Sequence, residues 1–339
     1  MKSININIDQ RPITYEIIID SDAINNSYFL VRELVESKKI ILIYDISIDK
    51  KYITQLTQSF QNNTSNFFKV PLDNSYNNKS LNRFEYLHKE LINFGCDKNS
   101  IILCVGGGSI GDIVGLVAST YYRGIDYIQI PSTLLSMLDS SIGGKTGIDM
   151  EEGKNLIGTY YHPKKVIIDV NFLSSLSKRE INSGLFEAIK YSVAFDHSLF
   201  QFIQNNINSI KNLDMLSQII ERCCKIKSKV IENDEKDRGE RRKLNFGHTI
   251  GHPIETINKI RHGEAIGYGM IAACYISKEL NTLQTDSLNQ IVTLIKRLTL
   301  PEIKLDTDKI MLMINKDKKR ENDKINFILL NEIGNSYIS

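Results

Sequence analysis

Three of the six histidines in this 339-residue chain lie close together in residues 245–264, which read N-F-G-H-T-I-G-H-P-I-E-T-I-N-K-I-R-H-G-E. His248 and His252 are four residues apart, so they share one face if the segment is helical. His262 follows a predicted bend and stands at the start of a second predicted helix. Imidazoles from two helices could therefore converge on one point, where they would be suited to bind a metal ion.

A carboxylate and an ammonium group lie upstream, in the apolar segment G-L-F-E-A-I-K. Glu187 and Lys190 are three residues apart and share a helix face, where buried charges need partners. They could form a simple structural ion pair. Alternatively, Glu187 joins His248 and His262 as the third ligand of a divalent metal and leaves a fourth position open for substrate oxygens, as in catalytic zinc sites. Cobalt or manganese would also accept these ligands.

The segment G-G-G-S-I-G-D satisfies the pattern G-x-G-x-x-G through Gly106, Gly108 and Gly111. It follows an apolar predicted strand and precedes an apolar predicted helix, which is the context that dinucleotide binding requires. A helix start of this kind offers free N–H groups to a pyrophosphate, although a tight turn alone could use the same glycines. No acidic residue ends a strand about 20 residues later. Asp45, at the end of an earlier predicted strand, is the better candidate for holding a ribose.

Two glycine-rich segments carry Lys145 and the pair Lys154–Asn155. Amine and amide donors beside exposed backbone N–H groups are suited to phosphate binding. We expect both segments to be loops, which either hold a phosphate or are flexible parts of the surface. A dinucleotide, a metal and phosphate-binding lysines together favour hydride chemistry on a hydroxylated phosphate ester.

Composition narrows the class of protein. Lys and Arg number 42 and Asp and Glu 40, so a net charge of +2 gives no field that favours nucleic acid or a membrane surface. The five cysteines show no C-x-x-C spacing and are expected to be reduced core thiols of a cytoplasmic protein. No apolar run approaches the length needed to cross a bilayer, and the amino terminus has no apolar leader. We therefore expect a small-molecule enzyme without nucleic-acid or membrane partners.

Strands alternate with helices in the first half, which predicts a parallel sheet. Alternating apolar residues at 4–8 and 15–19 predict a pair of strands at the amino terminus. From residue 178 six long helical patterns follow, with a small strand predicted at 327–330. The expected fold is an α/β nucleotide-binding domain with a mostly parallel sheet over residues 1–175, and an all-α metal- and substrate-binding domain over residues 176–339.

Seven motifs, in order and over nearly the whole chain, resemble the 3-dehydroquinate synthase family of sugar phosphate cyclases. They are G-G-G-S-I-G-D, Y-Y-R-G, P-S-T-L-L-S-M-L-D-S-S-I-G-G-K-T, G-K-N-L-I-G, G-L-F-E-A-I-K, N-F-G-H-T-I-G-H and H-G-E-A, beginning at residues 106, 121, 131, 153, 184, 245 and 262. The resemblance implies a dehydroquinate synthase-like fold.

The resemblance also implies a reaction, in which 3-deoxy-D-arabino-heptulosonate 7-phosphate becomes 3-dehydroquinate and phosphate in the shikimate pathway of aromatic amino acid biosynthesis. In the family NAD oxidises the C5 hydroxyl, phosphate is eliminated, the ketone is reduced again, and the ring opens and closes as a carbocycle. The substrate's own phosphate takes the C6 proton, so the protein mainly positions groups. NAD, a divalent metal (Zn or Co) and a homodimer are therefore expected.

Site residues are implied by the same motifs. The implied metal ligands are Glu187, His248 and His262. Residues with implied catalytic roles are Lys145, Lys190, Lys227, Asp237, Arg241, Asn245 and His252. Implied substrate contacts are Arg123 (from the neighbouring subunit), Asp139, Asn155, Lys318 and Lys319. Implied NAD contacts are Asp45, Lys79, Gly107, Gly108, Ser109, Gly111, Asp112, Ser132, Thr133, Lys145, Lys154, Phe172, Leu173, Ser174 and Ser175.

The chain departs from the family pattern at several positions. Residues 71–79 read P-L-D-N-S-Y-N-N-K, without the Glu that the family has in P-x-G-E. Asp237 stands where Glu is usual, and Ser132 replaces a Thr. Pro253 follows His252 where Ala is common, and we expect it to kink or end the helix. None of these changes removes a metal ligand.

Three alternatives remain open. The nearest is a related cyclase such as 2-deoxy-scyllo-inosose synthase, which acts on a different sugar phosphate. Another is a metal-dependent polyol dehydrogenase of the glycerol dehydrogenase kind, which would accumulate NADH where a cyclase would release phosphate. The third is a nucleotide-binding regulatory protein without catalysis, against which the intact Glu187, His248 and His262 argue.

Overall fold

The structure, a computed structural model, describes residues 12–73, 79–318 and 325–339, and only the backbone of 316–318. The first half contains eight strands in the described residues: β1 Glu16–Asp20, β2 Ile40–Asp45, β3 Phe67–Leu72, β4 Ile101–Gly106, β5 Asp126–Pro131, β6 Lys145–Met150, β7 Gly153–Tyr160 and β8 Lys165–Asp169. Six of them form one sheet in the order β1-β8-β5-β4-β2-β3, in which all neighbouring strands are parallel, while β6 and β7 form a separate hairpin. The predicted parallel sheet is confirmed.

The central strands are apolar throughout because both faces of the sheet are covered. Ile40 and Leu42 of β2 pack into one apolar cluster, and the alternate residues Ile41 and Ile43 pack into another. The first cluster includes α1 (Ser27–Val35) and α2 (Lys50–Gln61), and the second includes α3 (Leu81–Asn93) and α4 (Gly108–Thr120).

The segments that we expected to be glycine-rich loops form the antiparallel hairpin of β6 and β7, so that expectation was wrong. Gly147 and Gly158 lie opposite each other in the hairpin. A Cβ atom on Gly158 would lie 2.1 Å from the carbonyl oxygen of Thr146, so the close approach of the two strands requires glycine there. The hairpin packs against α4, the helix that follows the glycine-rich turn.

The second half is mainly helical. Its helices are α5 Lys178–Phe195, α6 His197–Asn206, α7 Leu213–Asn233, α8 His248–Asn258, α9 His262–Glu279, α10 Thr285–Arg297 and α11 Thr307–Lys318. A capping box of Ser177 and Glu180 starts α5, which is buried along almost its whole length. Residues of α5 share the cluster that covers the α1 and α2 face of the sheet, so the two halves have a common core.

The predicted fold class is confirmed, with some local differences. The predicted strand at 4–8 lies outside the described residues, and its expected partner β1 pairs with β8. Helix α11 was not predicted, and the predicted final strand is one half of an antiparallel hairpin of β9 (Ile328–Glu332) and β10 (Asn335–Ile338). Pro253 does not end its helix, because α8 continues to Asn258. Within the described residues no helix has both the length and the apolar character to cross a membrane.

Candidate active site

The three histidines of residues 245–264 converge, as their spacing predicted. Helix α8 begins at His248, directly after Gly247 with a φ of 80°, and α9 begins at His262. A Cβ atom on Gly247 would also lie 2.8 Å from the backbone nitrogen of Met270, so only glycine fits this helix start. Ring nitrogens of His248, His252 and His262 all lie within 4.8 Å of one another.

Glu187 of α5 points its carboxylate at two of these rings. Its fully buried Oε1 lies 3.3 Å from Nε2 of His262 and 3.8 Å from Nε2 of His248. In a tetrahedral zinc site with bonds of about 2.0–2.1 Å, neighbouring ligand atoms are about 3.3 Å apart. Neither oxygen of Glu187 has a hydrogen-bond partner of good geometry, although Lys190 Nζ lies 2.5 Å from Oε2. These residues therefore fit a divalent cation placed between Oε1 and the two Nε2 atoms.

The charges around the two rings favour a cation at the same place. Burial, together with the nearby ammonium of Lys190, holds the pKa of His248 well below its ordinary value. Burial would also lower the pKa of His262, but contacts with the carboxylates of Glu187 and Glu255 raise it to about 9. His248 is thus neutral with a lone pair available, and the position between His262 and Glu187 attracts positive charge.

Asp139 lies in a π-helical turn, Ser136–Ser140, and connects two buried lysines. Lys227 Nζ donates to its side chain and, at 2.7 Å, to its backbone oxygen, and Lys190 Nζ lies 3.4 Å from Oδ2. The hydroxyl of Tyr191 donates to Oδ1 at 3.0 Å. Burial alone would raise the pKa of Asp139, but Lys227 and Lys190 hold it well below its ordinary value. Asp139 is therefore ionised and fixes both ammonium groups.

A cleft of about 560 Å³ joins these groups. The predicted site residues that line it are Asp112, Asp139, Lys145, Asn155, Lys190, Lys227, Asp237, Arg241, Asn245, His248 and His262. Arg241 is buried and held by the backbone oxygens of Gly143 and Glu235. Four cationic side chains beside one cleft could bind a substrate with more than one anionic group.

A second cleft, of about 300 Å³, follows the glycine-rich turn. It is lined by the predicted NAD contacts Asp45, Gly107, Gly108, Ser109 and Thr133, together with His262. The N-terminus of α4 faces this cleft and is suited to bind a phosphate. Because His262 lines both clefts, a dinucleotide in the second cleft would approach a substrate in the first cleft beside the three histidines.

Ion pairs attach the β6–β7 hairpin to its surroundings. Lys145 pairs with Asp237, and Lys154 Nζ lies 2.6 Å from Oε1 of Glu255. Lys79 reaches the hairpin by pairing with Asn155, and its Nζ lies 2.8 Å from Asp112 Oδ2. The hairpin residues predicted to bind NAD and substrate are thus held against both halves of the chain.

The other predicted site residues lie outside the two clefts. His252 belongs to the histidine cluster, and its ring is exposed. Ser132 and Gly111 are buried beside the glycine-rich turn. The side chains of Phe172 and Leu173 lie in the core. Ser174 and Ser175 follow β8 and are exposed. Arg123 ends the 3₁₀ turn Tyr121–Arg123, away from both clefts. Lys319 and the side chain of Lys318 lie outside the described residues.

Comparison with models of protein families identifies the family of this chain. Residues 69–183 match the model of the 3-dehydroquinate synthase N-terminal region, and residues 184–320 match that of its C-terminal region. The chain belongs to the 3-dehydroquinate synthase family. The 3-dehydroquinate synthase of Clostridium botulinum (strain Alaska E43 / Type E3) is 38% identical over 336 residues, which cover 98% of this chain and 96% of that protein. The family and the function predicted from the motifs are confirmed.

Solved structures of related cyclases share the fold of this 3-dehydroquinate synthase family member. A 2-deoxy-scyllo-inosose synthase with carbaglucose-6-phosphate, NAD⁺ and Co²⁺ is 26% identical, has a TM-score of 0.86, and covers 95% of this chain and 91% of its own. A 2-epi-5-epi-valiolone synthase from Streptomyces hygroscopicus subsp. jinggangensis 5008, with NAD⁺ and Zn²⁺, is 22% identical with a TM-score of 0.88. It covers 98% of this chain and 94% of its own, and at this identity the likeness concerns the fold.

Three residues that contact the site of this 3-dehydroquinate synthase family member were not predicted from the sequence. Glu255 lies beside His262, Tyr191 donates to Asp139, and the backbone of Glu235 holds Arg241. A signal existed for Glu255, because it follows His252 by three residues and so shares its helix face. Tyr191 and Glu235 gave none, since an aromatic residue in an apolar helix and a backbone carbonyl have no distinctive pattern.

Proposed function

We propose that the two clefts form one active site that converts 3-deoxy-D-arabino-heptulosonate 7-phosphate to 3-dehydroquinate and phosphate, as a carbon–oxygen lyase that regenerates its NAD⁺ in each turnover. The observation that carries this proposal is the position of His262. It lines both clefts, and its Nε2 lies 3.3 Å from the buried carboxylate of Glu187.

NAD⁺ and a divalent cation are the cofactors of this site, in agreement with the NAD⁺- and Co²⁺-containing relative. Glu187, His248 and His262 would hold the cation, which fits their unpaired oxygen and converging nitrogens. Asp45 and the turn at Gly107–Ser109 would hold the dinucleotide. When bound, the cation would polarise a substrate hydroxyl, and NAD⁺ would accept the hydride from that carbon and later return it.

The side chains of the protein orient the substrate in this account. Lys190 and Lys227 present ammonium groups fixed by Asp139, and they would bind the substrate's carboxylate and hydroxyl oxygens. Lys145 and Arg241, at the same cleft, would bind the phosphate, with Asn155 beside them. Asn245 and the exposed ring of His252 would move or hold protons at the ring oxygens. Positioning of this kind contributes much of the rate when the leaving phosphate itself takes the proton.

The proposal extends to assembly, domains and location. Arg123 lies outside both clefts of its own chain, so it would complete the site of a second copy in a homodimer. A nucleotide-binding domain over 1–175 and a metal- and substrate-binding domain over 176–339 would close around the substrate. All five cysteines are free and buried, which agrees with a cytoplasmic location.

Product identification tests the proposal. Purified protein stripped of metal with a chelator is incubated with the heptulosonate phosphate and NAD⁺, with and without added Zn²⁺, and the products are identified by NMR. We expect 3-dehydroquinate only when metal is present. A carbocycle from glucose 6-phosphate, and none from the heptulosonate, would instead assign the protein to the 2-deoxy-scyllo-inosose synthase reaction.

A further inference from the structure

Glu255 of α8 contacts two groups at the candidate site. Nδ1 of His262 lies 3.0 Å from its Oε2, and Nζ of Lys154 donates to its Oε1 at 2.6 Å. Its side chain is only 16% exposed. Because the two contacts use different oxygens, one carboxylate holds the imidazole and the hairpin lysine at the same time.

The contact with His262 determines which ring nitrogen carries the hydrogen. An imidazole that binds a cation has released its second proton and has one N–H, and a carboxylate beside Nδ1 makes that nitrogen the donor. Nε2 then keeps its lone pair, and Nε2 is the atom that lies 3.3 Å from Oε1 of Glu187. Glu255 thus selects the tautomer and the ring orientation that binding of a cation requires.

His248 meets the same requirement in another way. Its Nδ1 lies 3.2 Å from the backbone oxygen of Phe246, and its Nε2 faces Glu187. Both rings therefore have a partner at Nδ1 and direct Nε2 inward. The partner of His248 is main chain and cannot be removed by substitution, whereas the partner of His262 is a side chain.

The two contacts of Glu255 differ in strength. The Lys154 side chain is 57% exposed, so water screens its attraction to the carboxylate and the ion pair contributes little. The His262 side chain is 33% exposed and lies between two carboxylates, those of Glu255 and Glu187. The contact with the imidazole is therefore the one that we expect to matter for the site.

We infer that Glu255 is a positioning residue, which holds His262 through Nδ1 so that Nε2 is directed at a bound divalent cation. The inference rests on the proposed function, because it takes His262 as a ligand. Carboxylates that support a metal-binding histidine in this way typically change metal affinity by about 10–100-fold when they are replaced.

The test measures zinc affinity directly, by competition with a chromophoric chelator. Glu255→Ala and Glu255→Met remove the acceptor, and either is expected to weaken zinc binding by about 10–100-fold. Glu255→Gln keeps a neutral acceptor of the same size and should recover part of that loss. Lys154→Met removes the other contact and should stay within about threefold of the wild type.

Two further measurements complete the test. The visible spectrum of bound Co²⁺ should change in Glu255→Ala and Glu255→Met, because the geometry of the ligands changes, and should be unaltered in the control Glu221→Gln on α7. His262→Ala separates the inference from the proposed function. If His262→Ala binds zinc like the wild type, the proposed metal site is wrong. If His262→Ala loses zinc while the Glu255 variants keep wild-type affinity and Co²⁺ spectrum, only the inference is overturned.

Discussion

Nζ of Lys190 lies 2.5 Å from Oε2 of Glu187, one helical turn away on α5, and both side chains are buried. The other oxygen, Oε1, faces the imidazoles of His248 and His262. The sequence left a choice between a structural ion pair and a metal ligand for Glu187. The geometry accommodates both, since one oxygen serves the lysine and the other is directed at the histidines.

Asp139→Asn is expected to lower the free energy of unfolding by about 3–5 kcal/mol, because Lys190 and Lys227 would remain buried without their common carboxylate. Urea unfolding at pH 7 measures this change. The matched control is Asp214→Asn, an exposed aspartate in the first turn of α7, which should cost less than about 1 kcal/mol. Equal losses in the two variants would contradict the account of the cluster.

The difference in stability between the wild type and Asp139→Asn should depend on pH. Lys227 and Lys190 hold the pKa of Asp139 well below its ordinary value, so its ionised form stabilises the fold above the pKa of the unfolded chain, at about 4. That stabilisation is lost as the pH falls through the lower pKa of the folded state. The difference in unfolding free energy between wild type and Asp139→Asn should therefore shrink below about pH 4. A difference that grows in acid would show that the carboxylate is not held ionised.

His262→Ala is expected to abolish metal-dependent turnover while NAD⁺ binding stays largely intact, because the glycine-rich turn and Asp45, which also line the second cleft, are unchanged. Steady-state rates with added zinc and NAD⁺ titration by calorimetry measure the two effects. Turnover near the wild-type rate without this imidazole would refute its assignment as a ligand.

Gly108→Ala is expected to weaken NAD⁺ binding. The added Cβ would lie 2.8 Å from Oγ of Ser140, so the turn that faces the second cleft must shift. Overpacking of this kind costs about 1–3 kcal/mol of folding free energy, and a turn displaced to relieve it should bind NAD⁺ more weakly. The double variant with Ser140→Ala should recover part of the loss, because it removes the nearest clashing atom. Unchanged NAD⁺ affinity in the single variant would argue against close packing at this turn.

Asp237→Glu introduces the residue that the family resemblance implies at this position, and we expect it not to lower activity. Asp237 pairs with Lys145, and a carboxylate that is one methylene longer could reach the same ammonium. Turnover with the heptulosonate phosphate measures the effect. A large drop would indicate that this cleft is shaped for a different substrate.

Periodicity and spacing were sufficient to predict the main elements of the fold and the convergence of the histidines. The buried runs of β2 and β4 and the offset of His248 from His252 are local signals, and each corresponds to one face of one element. The ligand chemistry suggested that Glu187 joins His248 and His262, which lie 61 and 75 residues later in the chain, and the resemblance of the motifs implied the same set.

The features that were missed carry a local signal that also fits another structure, or are decided by packing between elements. The hairpin of β6 and β7 was interpreted as loops because its glycines, which allow the strands to approach closely, are also typical of loops. Pro253 lies inside α8, although proline usually breaks helices, since packing of that helix against α9 outweighs the local preference. The first effect is local but ambiguous in the sequence, and the second depends on the packing of a second helix.

The stoichiometry of phosphate and reduced cofactor tests the central claim most directly. Purified protein is incubated with the heptulosonate phosphate, NAD⁺ and Zn²⁺, and phosphate release is followed beside the absorbance of NADH. A cyclase that returns its hydride in every turnover should release phosphate continuously without accumulation of NADH. NADH formed in proportion to substrate consumed, or no phosphate at all, would contradict the account.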